Sequence, residues 1–309
     1  MNTEINISII IATFNRSHLI IQTLDSIKRQ TYANFECLII DDHSTDNSKE
    51  VIESFIATDN RFEYHLRPMK FKKGLPGCRN FGLSISHGDY LLFFDDDDLL
   101  HHQCVEMGLE LLSTRNYDFC RFGRKVFHED QIPILEDQII SIDSEIDKAC
   151  FYKIMTNELP FNSCQIIWKS DCFHEHKFNE ELMYAEDWEC YLKIIFDAFK
   201  GVNLKNDLMF ARKHRNSNTG EYYHGNPLRI RGNILALKSI IKFLHQKRAL
   251  YFKNKKYLFN QLDLINSRDD LFCFIREQSN WIEFSLWVVY FQCKPIRLFF
   301  FQLRRKHSK

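Results

Sequence analysis

The chain has 309 residues, 45% of them apolar, so it can bury a sizeable core and is neither a small peptide nor a disordered adaptor. Forty-one basic residues balance forty-one acidic ones, so no overall field draws in nucleic acid and any partner is recruited by local charge. The ten cysteines show no Cys-x-x-Cys spacing, which speaks against a zinc ribbon or a secreted disulfide framework and for a reducing cytoplasm.

The opening Met1-Asn2-Thr3-Glu4 has no basic n-region or Ala-x-Ala cleavage signal, so export is not expected. Ile7 to Thr13 is a near-continuous β-branched run that predicts a strand. Asn15-Arg16-Ser17 then predicts a loop and helix cap, with Leu19, Ile20, Leu24 and Ile27 at helical spacing. Phe35 to Ile40 repeats the strand signature and runs into Asp41-Asp42-His43-Ser44-Thr45-Asp46, after which Val51, Ile52 and Phe55 fit an amphipathic helix. Tyr90 to Phe94 is a third buried strand, again ending in acidic residues. Unbroken apolar strands alternating with helices imply an α/β fold whose mostly parallel sheet is covered on both faces. Ligands then sit beyond the carboxyl ends of the strands.

After about Asn203 the pattern changes, and from Pro227 onward only helices are expected. The expected division is residues 1–220 for the α/β domain and 221–309 for a C-terminal helical region. Its strongest apolar stretch, residues 284–293, falls well short of the ~20 residues of a spanning helix.

Asp95-Asp96-Asp97-Asp98 carries the strongest chemical signal. Two like charges ~4 Å apart repel by about 1 kcal/mol even in water, so four carboxylates at a strand mouth call for a compensating cation. Hard oxygen ligands suit Mg²⁺ or Mn²⁺, which can bridge to a diphosphate. The plainer alternative, Asp98 as cap of a helix beginning at Leu99, accounts for one aspartate of the four.

Thr13, Asn15 and Arg16 offer hydroxyl, amide and cationic donors to a nucleotide in the same crevice, and a carboxylate of Asp41-Asp42 can accept from a base or ribose. Arg79, in Pro76-Gly77-Cys78-Arg79-Asn80-Phe81-Gly82 at a helix start, can bridge to a donor phosphate or to the acidic cluster. Glu186-Asp187 opens another helix, where the macrodipole alone favours acids and where a carboxylate can also serve as general base. His214, in Arg212-Lys213-His214-Arg215-Asn216-Ser217, can join a metal or touch a diphosphate. Cys172, His174 and His176 alternate like a soft-metal site but show no fourth ligand, which fits a packed or solvated strand edge.

Taken in order, Ile-Ile-Ile-Ala-Thr-Phe-Asn-Arg, Ile-Asp-Asp-His-Ser-Thr-Asp, Pro-Gly-Cys-Arg-Asn-x-Gly, Phe-Asp-Asp-Asp-Asp, Glu-Asp-Trp-Glu and Arg-Lys-His-x-x-Ser resemble the motifs of family-2 glycosyltransferases over roughly residues 5–220. The resemblance implies the GT-A fold and inversion with a nucleotide-sugar donor, most often a UDP-sugar. It places Thr13, Arg16 and Asp42 at the nucleotide and Asp95 near the ribose, and Asn15, Arg79 and Asp96 are further candidates for the nucleotide-sugar side. Asp97 falls to the metal, Mn²⁺ or Mg²⁺, with His214 near it and the diphosphate, and Asp187 becomes the base. The expected acceptor is a saccharide or lipid-diphosphate-linked glycan of O-antigen, capsule or lipo-oligosaccharide assembly. Two departures stand out: the Asp-x-Asp motif lies within a run of four, leaving its register open by one residue, and His43 replaces the usual glycine.

Two other functions compete. An Asp-dependent phosphohydrolase needs a small turn after its aspartates, where this chain has Leu99-Leu100. A non-catalytic sugar-nucleotide or glycan-binding protein would have no use for Asp187. At the other end, Trp281, Phe284, Trp287, Tyr290 and Phe291 precede a basic tail with Arg297, Phe299, Phe300, Phe301, Arg304, Arg305, Lys306 and Lys309, which predicts either peripheral contact with the cytoplasmic face of an anionic inner membrane or a core-packing helix with a solvated tail.

Overall fold

A computed structural model describes residues 7–128, 133–213, 218–266 and 268–293. In chain order the first half comprises β1 (Ile7–Thr13), α1 (Ile20–Lys28), β2 (Phe35–Asp41), α2 (Ser48–Ile56), β3 (Phe62–Leu66), α3 (Leu75–Ile85), β4 (Tyr90–Asp95), β5 (Leu99–Leu100), α4 (Cys104–Thr114) and β6 (Phe119–His128). There follow β7 (Ile142–Ile146), α5 (Phe151–Met155), β8 (Ile166–Lys169), α6 (Glu186–Phe196), β9 (Gly201–Lys213), α7 (Asn218–Tyr223), α8 (Pro227–Gln246), α9 (Phe252–Ile265), α10 (Arg268–Glu277) and α11 (Trp281–Gln292).

The strands form one sheet in the order β3-β2-β1-β4-β8-β6-β9-β5, with β7 also paired to β9. The four strands at one end are parallel, and β8 joins them antiparallel to β4. Register decides where chemistry can gather: Thr13 stands opposite Asp41, and Ala12 opposite Asp95. The polar ends of β1, β2 and β4 therefore lie level on one edge, as expected of a parallel sheet.

Both faces are covered. Ile7, Ile9 and Ile11 pack with Ile20, Leu24, Ile27 and Ile52 in the main core. Ile10 points the other way, against α3, where Gly82 permits the approach: a Cβ there would stand 2.4 Å from Ile10 Cγ2.

Two local expectations are corrected. Leu99 does not begin a helix; Leu99 and Leu100 pair with Phe210 and Met209 of β9, and α4 starts at Cys104. Asn15-Arg16-Ser17 does not cap α1 either, since that helix begins after Leu19 with no side-chain cap.

The chain divides into two compact units, Met1–Ala236 and Leu237–Lys309. Helix α7 and the first half of α8 thus belong with the sheet. The described residues of the second unit form helices that close around Leu258, Phe259, Leu262, Leu271, Phe274, Ile275, Trp287 and Phe291, with Trp287 edge-on to Phe259 at 5.0 Å.

Candidate active site

The loops after β1 and β2 are bound to each other. Asn15, at φ 55°, accepts on Oδ1 from the Thr45 N–H at 2.7 Å and gives its own N–H to Ser44 Oγ at 2.9 Å. Its amide oxygen thus holds two loops together. His43 takes φ 63°, the left-handed conformation that glycine adopts without strain, and its Nε2 lies 2.9 Å from the Arg67 carbonyl oxygen.

Asp42 is buried with both oxygens engaged: Oδ1 accepts from Arg67 Nε at 2.6 Å and Oδ2 from the Gly74 N–H at 2.9 Å. It fixes the loop that leads into α3. Asp41 accepts from the Ser44 N–H at 2.7 Å and from the Tyr64 hydroxyl at 2.8 Å.

The acidic run is divided by its surroundings. Asp96 is buried, with Arg16 Nε 3.7 Å away. Burial first, then the neighbouring Asp97, pushes its carboxyl up to about 8 against the pull of Thr13 and Arg16. The Thr13 hydroxyl, close enough to Asp96 to act on it, makes no hydrogen bond of ordinary geometry among the described residues. Asp98 accepts from the Arg212 N–H at 2.8 Å, and burial and Asp97 hold its pKa well above the usual carboxylate range. Arg212 also donates from Nε to the Asp97 carbonyl at 2.8 Å and from Nη2 to Gln22 at 2.7 Å. It braces the run from behind.

Among the described residues, Asp95, Asp98 and Cys164 bring ligand atoms within 4.8 Å of one another. Asp97, the expected metal residue, is half-buried and outside that trio, and His214 lies outside the described residues. Burial above all raises the pKa of Asp95, Asp96 and Asp98, although Arg79, Arg16 and Arg124 pull the other way. A divalent ion fits that oxygen-rich set.

Helix α6 brings the second pair of acids to the same place. Ala185, at φ 61°, turns the chain, and Asp187 then accepts on Oδ2 from the Ser163 N–H at 3.2 Å and on Oδ1 from the Trp188 N–H at 2.7 Å. Glu186 is buried, and burial with the adjacent Asp187 pushes its pKa up to about 7 while Arg79 pulls against them.

Arg79 joins the two acidic groups. Only 2% exposed, it donates to Glu186 Oε1 at 3.0 Å and to Ser163 Oγ at 2.9 Å, with Asp95 Oδ1 at 3.3 Å. Burial works against its charge, yet Glu186 and Asp95 keep its pKa above the ordinary value. Of the two roles open to Arg79 in the sequence, the structure turns its guanidinium to the acidic cluster. Ser163, Cys164 and Arg67 escaped sequence reasoning, because only tertiary contacts mark them.

Cys172, His174 and His176 do not converge. The Cys172 thiol points to the Asp118 carbonyl at 3.7 Å, His174 is exposed, and His176 Nε2 pairs with Asp197 at 3.2 Å.

Residues 8–164 match the family model described as glycosyl transferase family 2. The chain is 30% identical over 220 residues to the glycosyltransferase GlyG of Streptococcus pneumoniae, covering 68% of this chain and 72% of that protein. It is 31% identical over 126 residues to the UDP-Glc:alpha-D-GlcNAc-diphosphoundecaprenol beta-1,3-glucosyltransferase WfgD of Escherichia coli, 41% of this chain and 48% of that one. An uncharacterized glycosyltransferase of Rickettsia bellii is 28% identical over 191 residues, 62% of this chain, which spans only 26% of that relative's length. Among solved structures, Staphylococcus aureus TarS with UDP-GlcNAc superposes with a TM-score of 0.63 at 18% identity, covering 88% of this chain and 79% of that one. The last likeness bears on the fold alone, and that fold is GT-A.

Proposed function

The chain belongs to glycosyltransferase family 2, and from that premise we propose an inverting, metal-dependent enzyme that moves a hexose from a UDP-sugar to a hydroxyl of a saccharide or lipid-diphosphate-linked acceptor. One observation carries this reading: Arg79 and Ser163 tie Asp95 to Asp187, setting a carboxylate for an acceptor proton beside a carboxylate cluster suited to a metal. The names of WfgD and GlyG favour sugar transfer over phosphate hydrolysis or mere binding, and WfgD's name supports a UDP-sugar donor and a lipid-diphosphate acceptor.

Thr13, Arg16 and Asp42, at or just beyond the carboxyl ends of β1 and β2, would serve the nucleotide side. Asp95, Asp97 and Asp98 would hold Mn²⁺ or Mg²⁺, with His214 placed there by motif order, and the ion when bound neutralises charge on the departing nucleoside diphosphate. Asp187 accepts the acceptor hydroxyl's proton as that oxygen bonds to the anomeric carbon and the bond to the diphosphate breaks. Both Asp187 oxygens take backbone hydrogen bonds, which fix the carboxylate and leave a lone pair on each for the incoming proton. Glu186 stays with Arg79 and sets the helix start. One displacement inverts the anomeric centre.

The same reading puts the enzyme at the cytoplasmic face of a membrane, attached peripherally, because a lipid-diphosphate-linked acceptor would lie there and residues 294–309 are basic. No described helix is long and apolar enough to cross a bilayer. Incubation with a panel of nucleotide sugars and lipid-diphosphate glycans, followed by the proton coupling of the new anomeric centre, tests the proposal. An α-linked gluco- or galacto-configured donor should give a β product; an α product refutes inversion.

A further inference from the structure

Helix α11 is apolar on both sides. One side belongs to the helical unit: Trp287 and Phe291 are buried, Glu283 pairs with Lys255, and the Tyr290 hydroxyl accepts from Asn260 Nδ2 at 3.2 Å. The other side carries Ile282, Leu286 and Val289 at i, i+4 and i+7, with Trp281 at the helix start. These four are 69%, 66%, 56% and 80% exposed. Scattered exposed apolar residues are ordinary, but side chains in register along one helix face form a stripe that calls for a cover.

Charge identifies the cover. Residues 294–309 follow directly and hold Lys294, Arg297, Arg304, Arg305, Lys306 and Lys309 with no Asp or Glu among them. An apolar stripe followed by a stretch whose charges are all positive complements an anionic headgroup layer over hydrocarbon. A partner protein would need to match only the stripe. At twelve residues α11 is ~18 Å long, short of spanning a bilayer but suited to lie in its surface.

We infer that α11 is the inserting element of the peripheral attachment proposed above: Ile282, Leu286, Val289 and Trp281 enter the headgroup–acyl boundary of an anionic bilayer, with the helix in the membrane plane. The inference rests on that attachment and assigns it to a helix face in addition to the basic tail. Trp287, which the sequence groups with Trp281, faces the protein.

Flotation of the full chain with phosphatidylcholine vesicles, with and without phosphatidylglycerol, tests it. The full chain should float with the anionic vesicles only. Ile282→Glu and Leu286→Glu should each weaken binding by about tenfold or more while leaving the melting temperature unchanged, since both side chains face water in the free protein. Brominated acyl chains should quench a tryptophan component that disappears in Trp281→Phe. Failure of the full chain to float overturns the attachment itself and this inference with it. Flotation indifferent to both substitutions and to Trp281→Phe keeps the attachment and overturns the role of α11. A self-association lost in the same variants, without vesicle binding, assigns the stripe to a second copy and also overturns it.

Discussion

The backbone N–H of Ser163 donates to Oδ2 of Asp187 at 3.2 Å, while the hydroxyl of the same serine accepts from Arg79 at 2.9 Å. Because Arg79 also reaches Asp95 and Glu186, the spacing between the two acidic groups is held by one buried guanidinium and one short turn. Rate, more than donor affinity, should depend on that bridge.

Arg79→Lys keeps a charge but loses the fork that reaches three partners. It should lower kcat by about two orders of magnitude, a loss typical of small misplacements in a reacting pair, with donor Kd changed by less than about threefold. Arg79→Met should in addition destabilise the fold by about 3–5 kcal/mol, since Glu186 and Asp95 are left without their cation. Initial rates paired with UDP titration calorimetry separate these effects. A large rise in donor Kd with kcat intact would make Arg79 a phosphate ligand instead.

Chelation should abolish transfer, and Mn²⁺ or Mg²⁺ should restore it. Asp97→Asn and Asp98→Asn should each weaken Mn²⁺ binding, read by calorimetry on the folded protein in the presence of UDP. Full turnover in excess chelator contradicts the metal assignment.

Gly82→Ala tests how the α3 register supports the site. The added methyl meets Ile10 Cγ2 at 2.4 Å, so α3 must shift or the strand must yield. Overpacking of this kind costs about 1–3 kcal/mol, and because α3 carries Arg79, turnover should fall along with the melting temperature. An unchanged melting temperature would show that Ile10 has room to rotate away.

Much of the nucleotide half is legible in the sequence because β1, β2 and β4 are buried on both faces and read as unbroken apolar runs. Strand β9 is not. Asn203 and Asn206 interrupt its apolar pattern, yet both are buried, bonded to Arg121 and to the Ile139 carbonyl across the sheet. Local pattern cannot reveal such partners. Leu99-Leu100 is strand because β9 pairs with it, a tertiary override of what looks like a capped helix. In the site, the aspartates and Asp187 announce themselves by charge and position. The amide oxygen of Asn15 is taken up by the neighbouring loop, a contact that local pattern does not reveal. His43 departs from the family's glycine and still adopts the left-handed turn. Ser163 and Cys164 carry no local signal at all, since their meaning comes from where the short turn before β8 falls in space.

The central claim is that Asp187 is the general base of a glycosyl transfer. The measurement that bears on it most directly is the single-turnover rate of Asp187→Asn with saturating donor and acceptor, in which product release cannot mask the chemical step. General-base assistance contributes about 10²–10⁴-fold, so the rate should fall by that factor while donor Kd stays near the wild-type value. A rate within about threefold of the parent enzyme would contradict the account and move the base to another carboxylate.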